Sequence, residues 1–157
     1  MKGYLPERFK IVNGITAQAS SAARTGDYIS LKDVNTAYVI VTWNQAGAGD
    51  AANATIYEAT STTGGGAAAT TGNAYEIWST ASTTSDTLTH QTASYRYSTT
   101  TDATTQLMVF QVRPEQLTDT YDCINVITDS TSTATNYVCA TYLLEMAYQG
   151  DQPPSVI

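Results

Sequence analysis

Histidine is nearly missing from this chain, with His90 alone among 157 residues, and cysteine occurs only at Cys123 and Cys139. One histidine excludes any multi-histidine metal centre, and a serine or cysteine triad would have to run through His90. Its setting, Thr89-His90-Gln91, carries neither a nucleophile elbow nor a papain-type signature. Two cysteines are too few for a disulfide scaffold or a cysteine zinc site. No lysine follows Lys32, so the cluster Gly64-Gly65-Gly66 has no nearby ammonium and no Gly-Lys-Ser/Thr or GxGxxG pattern with which to hold phosphate. It reads as a flexible hairpin tip. No Asp-x-Asp-x-Asp-Gly run offers a calcium loop. Long apolar runs are lacking too. Tyr38 to Val41 and Leu107 to Phe110 are strand-sized, far short of the roughly 20 residues that cross a bilayer. No apolar signal region follows Met1-Lys2-Gly3-Tyr4-Leu5-Pro6, so a soluble protein made in the cytoplasm, without a membrane partner, is expected. Glu58 with Glu76, or Asp119 with Asp122, read as solvated strand and turn acids, since nothing holds either pair at a working separation. The expectation is a non-enzyme with no cofactor and no metal.

What charge there is falls unevenly. Lys2, Arg8, Lys10, Arg24 and Lys32 lie in the first 32 residues against Glu7 and Asp27, whereas the remainder sets Arg96 and Arg113 against twelve acids. A cationic leader thus precedes an acidic body. Such asymmetry suits docking onto an oppositely charged partner. The acidic body disfavours nucleic acid, which needs clustered cations for counterion release.

Serine and threonine supply 40 residues, and 21 of the apolar residues are alanine. Threonine's stiff, branched Cβ fits a pleated strand better than a helix. Strand-like runs alternate with Gly, Asn, Asp, Ser and Thr clusters at Tyr28–Lys32, Tyr38–Trp43, Ala54–Ala59, Ala74–Ser79, Leu88–Tyr97, Gln106–Arg113, Asp122–Thr128 and Asn136–Met146. Tyr38–Trp43 is nearly all apolar and Leu107–Phe110 is apolar throughout, as in central strands, while Ile56-Tyr57-Glu58 and Ser94–Tyr97 alternate like outer or edge strands. Ala46–Ala54 and Thr60–Asn73 read as exposed loops. The reading is all-β, a single antiparallel β-sandwich of jelly-roll or Greek-key type with about eight strands and an extended N-terminal arm. Its parts are a docking arm (1–25), the sandwich body (26–150) and an extended, proline-stiffened tail (151–157). Ile15–Arg24 fits either a short helix or a loop.

If residues 121–128 and 135–146 form a hairpin centred on Thr131, Cys123 faces Cys139. The pair is then either two reduced buried thiols or a cross-strand disulfide. Tyr121, two residues before Cys123, is similar to the tyrosine corner of immunoglobulin-like sandwiches, in which the phenol ties down the preceding connection.

The leader is richer in large apolar side chains than a disordered segment, with Tyr4, Leu5 and Phe9 set among Lys2, Arg8 and Lys10. These six residues are the expected partner-binding set. The opening Met1-Lys2-Gly3-Tyr4-Leu5-Pro6-Glu7-Arg8-Phe9-Lys10, the Ala/Thr/Gly-rich body and the closing Pro153-Pro154-Ser155 resemble capsid decoration (cement) proteins of tailed bacteriophages. The resemblance implies a virion protein on the capsid exterior that binds the major capsid protein. It also implies a homotrimer, with the arm bridging neighbouring capsid subunits. A head fibre or a receptor- or glycan-binding surface module is the alternative, for which Trp78 and Tyr95 would serve as sugar-stacking residues.

Overall fold

The computed structural model describes residues 5–45, 51–80, 87–99, 105–131 and 135–148. The protein is an all-β sandwich of two antiparallel six-stranded sheets. One helical turn, α1 (Leu5–Arg8), leads into strands β1 (Phe9–Ala19), β2 (Arg24–Thr25), β3 (Ile29–Ser30), β4 (Val34–Asn44), β5 (Asn53–Ala59) and β6 (Ala68–Ala69). β7 (Tyr75–Ser79), β8 (Thr89–Ser94), β9 (Arg96–Ser98), β10 (Thr105–Val112), β11 (Cys123–Thr128) and β12 (Tyr137–Met146) complete the set. The first sheet runs β1-β12-β4-β10-β7-β8. The second runs β2-β11-β5-β6, with β3 also on β11 and β9 also on β5.

Period-2 alternation builds the core. In β10, Met108, Phe110 and Val112 are fully buried, and Val39, Val41 and Trp43 in β4 and Ala140, Tyr142 and Leu144 in β12 match them. Ile56, Ile124 and Val126 close the core from the second sheet. All eight strands read from the sequence are present, several of them shorter or split.

Several expectations are corrected. The arm was drawn to residue 25, yet Phe9–Ala19 pairs along its length with β12 and forms the edge of the first sheet. Register shifts between Asn13 and Ile15, and again between Ile15 and Gln18, break the two-residue alternation that would have marked it as a strand. The same finding decides Ile15–Arg24, which is neither helix nor plain loop but strand through Ala19, then a bend into β2. Next, Ile56-Tyr57-Glu58 lies inside the second sheet, with β11 on one side and β6 and β9 on the other. Its alternation arises because Glu58 points inward, where its carboxylate accepts the Thr118 backbone N–H at 2.9 Å. Finally, Thr60–Asn73 is not a plain loop. Ala68–Ala69 pairs with β5, and Thr70, buried, donates its hydroxyl to the Ile56 carbonyl at 3.0 Å. Positive φ angles at Gly64 and Gly66 turn this segment, and a Cβ on Gly64 would sit 2.9 Å from the Tyr28 ring.

The expected hairpin of β11 with β12 does not form, because the chain crosses from one sheet to the other between them. Ser20, just after β1, fixes that crossing. Its carbonyl accepts the Thr131 N–H and its N–H donates to the Asn136 carbonyl, both at 2.8 Å, while its hydroxyl meets Thr131 Oγ1 at 2.7 Å.

Candidate functional site

The six residues expected to bind a partner divide by position. Lys2 and Tyr4 lie outside the described residues. Leu5 opens the helical turn and is 53% exposed. Arg8 closes it, with its guanidinium 5.5 Å from the Phe9 ring centroid and 3.6 Å from the Glu145 carboxylate. Phe9 and Lys10 are the first residues of β1, opposite Glu145 and Leu144. Leu5, Arg8, Phe9 and Lys10 thus gather at one corner of the first sheet, where β1 begins and β12 ends. Arg24 does not join them. Its side chain turns back onto the Ala19 carbonyl at 2.9 and 2.6 Å and spends its charge pinning β1 to β2.

The cysteines stand apart, both as free thiols. Cys123 pairs with Ser30 and Ala59 in the second sheet, and Cys139 pairs with Thr42 in the first. Neither the facing pair nor the disulfide survives. Burial together with the neighbouring Asp122 carboxylate pushes the Cys123 thiol up to about 12. Tyr121 also differs from a tyrosine corner, since its hydroxyl donates to Gly66 in the β5–β6 connection rather than to the chain just before it.

The tie between the sheets is Tyr142. Ile56 gives its N–H to the Tyr95 carbonyl on the far side of β5, so the opposing Val126 turns its own polar groups toward the gap between β2 and β3. Gly26 N–H donates to the Val126 carbonyl at 2.8 Å, and the Tyr142 hydroxyl oxygen accepts the Val126 N–H at 3.1 Å. Burial raises the Tyr142 pKa well above the ordinary phenol range. Room for the ring comes from Gly14 and Gly26, where a Cβ would approach Tyr142 to 2.5 and 2.6 Å.

The two outer faces are chemically opposite. On the second sheet Arg96 meets Asp129 at 2.7 Å, Asn53 donates to the same carboxylate at 2.9 Å, and Ser98 bonds Asn53. On the first sheet the outward positions are largely apolar. One row crosses the strands as Asn13, Thr141, Ile40, Val109, Trp78 and His90. The next row runs Ile11, Leu143, Tyr38, Gln111 and Glu76. Cys139, Thr42 and Leu107 form a third. Ile11 is 52% exposed at the β1 edge. Toward the opposite edge, Tyr38, Trp78, Leu88, Val109 and Gln111 line a depression of about 340 Å³. His90 Nε2 lies 2.5 Å from Glu76 Oε2, and its ring stands 5.2 Å from that of Trp78. An antiparallel sheet with one face on the core ordinarily turns polar residues outward, and this face departs from that by carrying Ile11, Ile40, Val109, Leu143 and Trp78 among its polar positions.

The sequence did not single out Ile40, Val109 or Leu143. The available signal was the apolar character of both parities in Tyr38–Val41 and Leu107–Phe110, because a two-layer sandwich buries only one. Glu58 and Glu76 do not form a carboxylate pair, as one points inward from the second sheet and the other outward from the first. Among the described residues no three His, Cys, Asp or Glu side chains gather as a metal site, and no helix is long and apolar enough to cross a membrane. Compared with protein-family models, curated proteins and solved structures, the chain matches none.

Proposed function

We propose that this protein is a non-enzymatic assembly module that binds the outer surface of a viral capsid and stabilises it by bridging neighbouring capsid subunits. The observation that carries the reading is the corner of the first sheet at which β1 begins and β12 ends. Antiparallel pairing of β1 with β12 sets Phe9 opposite Glu145, so Leu5–Arg8 and Met146–Tyr148 flank the same end of the same sheet edge. Two terminal segments issuing from one corner act as a clasp, since docking either one raises the effective concentration of the other. Lys2, Arg8 and Lys10 supply cations for acidic groups on the major capsid protein. Tyr4, Leu5 and Phe9 supply apolar contact worth about 1.5–3 kcal/mol for each side chain fully buried. The Arg8–Glu145 pair does not oppose this, because an exposed ion pair at 3.6 Å contributes at most about 1 kcal/mol and exchanges easily for a partner's carboxylate.

The test is co-sedimentation with expanded capsids that lack the protein, using the full chain and a variant without residues 1–8. This truncation spares β1 and therefore the sheet. Loss of pelleting with an unchanged melting curve is expected, and undiminished pelleting overturns the reading. The second reading, a receptor- or glycan-binding surface module, is favoured by one feature, Trp78 lining the depression beside Tyr38, whereas Tyr95, the other expected stacking residue, packs against the core. Glycan-array binding that disappears in Trp78→Ala would select it.

A further inference from the structure

We infer that the outer face of the first sheet is a self-association surface, covered by the same face of a second copy of this chain. The capsid reading plays no part in this inference.

Area is the first argument. Six strands about 4.8 Å apart span roughly 29 Å, and Tyr38 to Asn44 at about 3.4 Å per residue spans roughly 20 Å. The flat face is therefore about 600 Å². Side-chain relief brings it toward the roughly 800 Å² per partner of a stable interface. A small molecule in the depression would leave Ile11, Ile40 and Leu143 uncovered.

Charge is the second. The chain carries a net charge of −7, so two copies repel over most of their surfaces. On this face the acids are already engaged, Glu145 by Arg8 and Glu76 by His90. In the isolated chain neither carboxylate is left alone to repel its counterpart on a facing copy, so this face adds little to the repulsion between two acidic chains.

Shape is the third. Ile11 and Leu143 stand at the β1 side of the row that continues through Tyr38 and Gln111, while the depression lies at the β7 and β8 side. A two-fold axis in the interface plane, parallel to the strands, exchanges the two sides of the sheet. Ile11 and Leu143 of each copy then descend on the depression of the other, which is the self-complementarity an isologous contact demands.

Sedimentation equilibrium of the isolated full chain at micromolar concentrations tests this directly. The expected species has twice the 16.8 kDa chain mass. Ile11→Glu, at an exposed position that leaves the fold intact, should weaken association at least tenfold. Val109→Lys, at the centre of the face, should abolish it, with circular dichroism confirming that each variant is folded. Trp78 provides a second readout, since its emission should shift to the red on dilution in the wild type and be concentration-independent in Ile11→Glu. A monomer at every concentration, a dimer indifferent to Ile11→Glu, or a three-fold species overturns the proposal. Because no shell is present, none of these outcomes bears on capsid binding.

Discussion

Removing one oxygen atom from Tyr142 should measurably loosen the sandwich. Tyr142→Phe keeps the ring in the space left by Gly14 and Gly26 but takes away the acceptor of the Val126 N–H. That N–H points away from β5 into the gap between β2 and β3, and Val126 is fully buried. Without the phenol oxygen it has no replacement. An unsatisfied buried donor costs about 1–3 kcal/mol, while the loss of packing from deleting a single hydroxyl is minor by comparison. Taking about 2 kcal/mol, a chain of this size melts roughly 4–8 °C lower. Urea unfolding should show a lower midpoint at unchanged slope, because the surface exposed on unfolding is the same. The pH dependence gives an independent check. Desolvation raises the Tyr142 pKa in the fold above its ordinary value near 10, so the folded state holds this proton more tightly than the unfolded chain. The contribution is therefore complete below pH 10 and is lost as pH rises through the phenol range. Tyr75, whose pKa burial also raises, adds to the same alkaline loss in both proteins. The wild-type advantage over Tyr142→Phe should accordingly shrink above pH 10. A midpoint change worth less than about 0.5 kcal/mol, or an advantage that grows with alkaline pH, would refute the role assigned to this hydroxyl.

Gly14→Ala attacks the same tie from the other side. A Cβ 2.5 Å from Tyr142 Cε2 forces the ring or β1 to shift, which should cost about 1–3 kcal/mol in chemical unfolding, and a neutral result would show that the β1 bulge yields freely. In Val109→Lys, which leaves the outer face uncovered, the thiols should behave independently, with the partly exposed Cys139 reacting with a thiol reagent well before Cys123, which is buried and held protonated up to about 12. Reductant should leave the melting temperature unchanged, and a shift would point to a disulfide that the separation of the two sheets excludes.

The inward half of the fold was legible because local pattern and final burial agree there. β10 and β12 read as strand-length runs rich in apolar residues whose alternate side chains the sandwich buries, and their limits were read to within a residue. What escaped depended on contacts distant in sequence. β1 hides its strand character behind two register shifts that only β12 imposes. The partners of Cys123 could not be read because nothing local says whether β11 and β12 share a sheet, and Ser20, 111 positions from Thr131, holds Thr131 away from a hairpin turn. Leu5, Arg8, Phe9 and Lys10 were named from composition alone. Their convergence on the β1–β12 corner required the pairing itself.

The apolar runs in β4 and β10 invited the explanation that central strands are simply apolar, and that explanation is insufficient. β5 is equally central in its own sheet, yet its outward residues are Asn53 and Thr55, beside Ser98 and Arg96, and Tyr57, beside Asn125 and Ala69. Being central satisfies the backbone on both edges of a strand; it says nothing about the face turned to water. With the core supplied by Val39, Val41, Met108 and Phe110, folding demands nothing apolar at Ile40, Leu107, Val109 or Leu143. Polar substitution there should therefore leave the stability of the single chain nearly unchanged while removing whatever the face holds. That separation of stability from association distinguishes a contact surface from an incompletely covered core, and it is why Val109→Lys is the decisive variant.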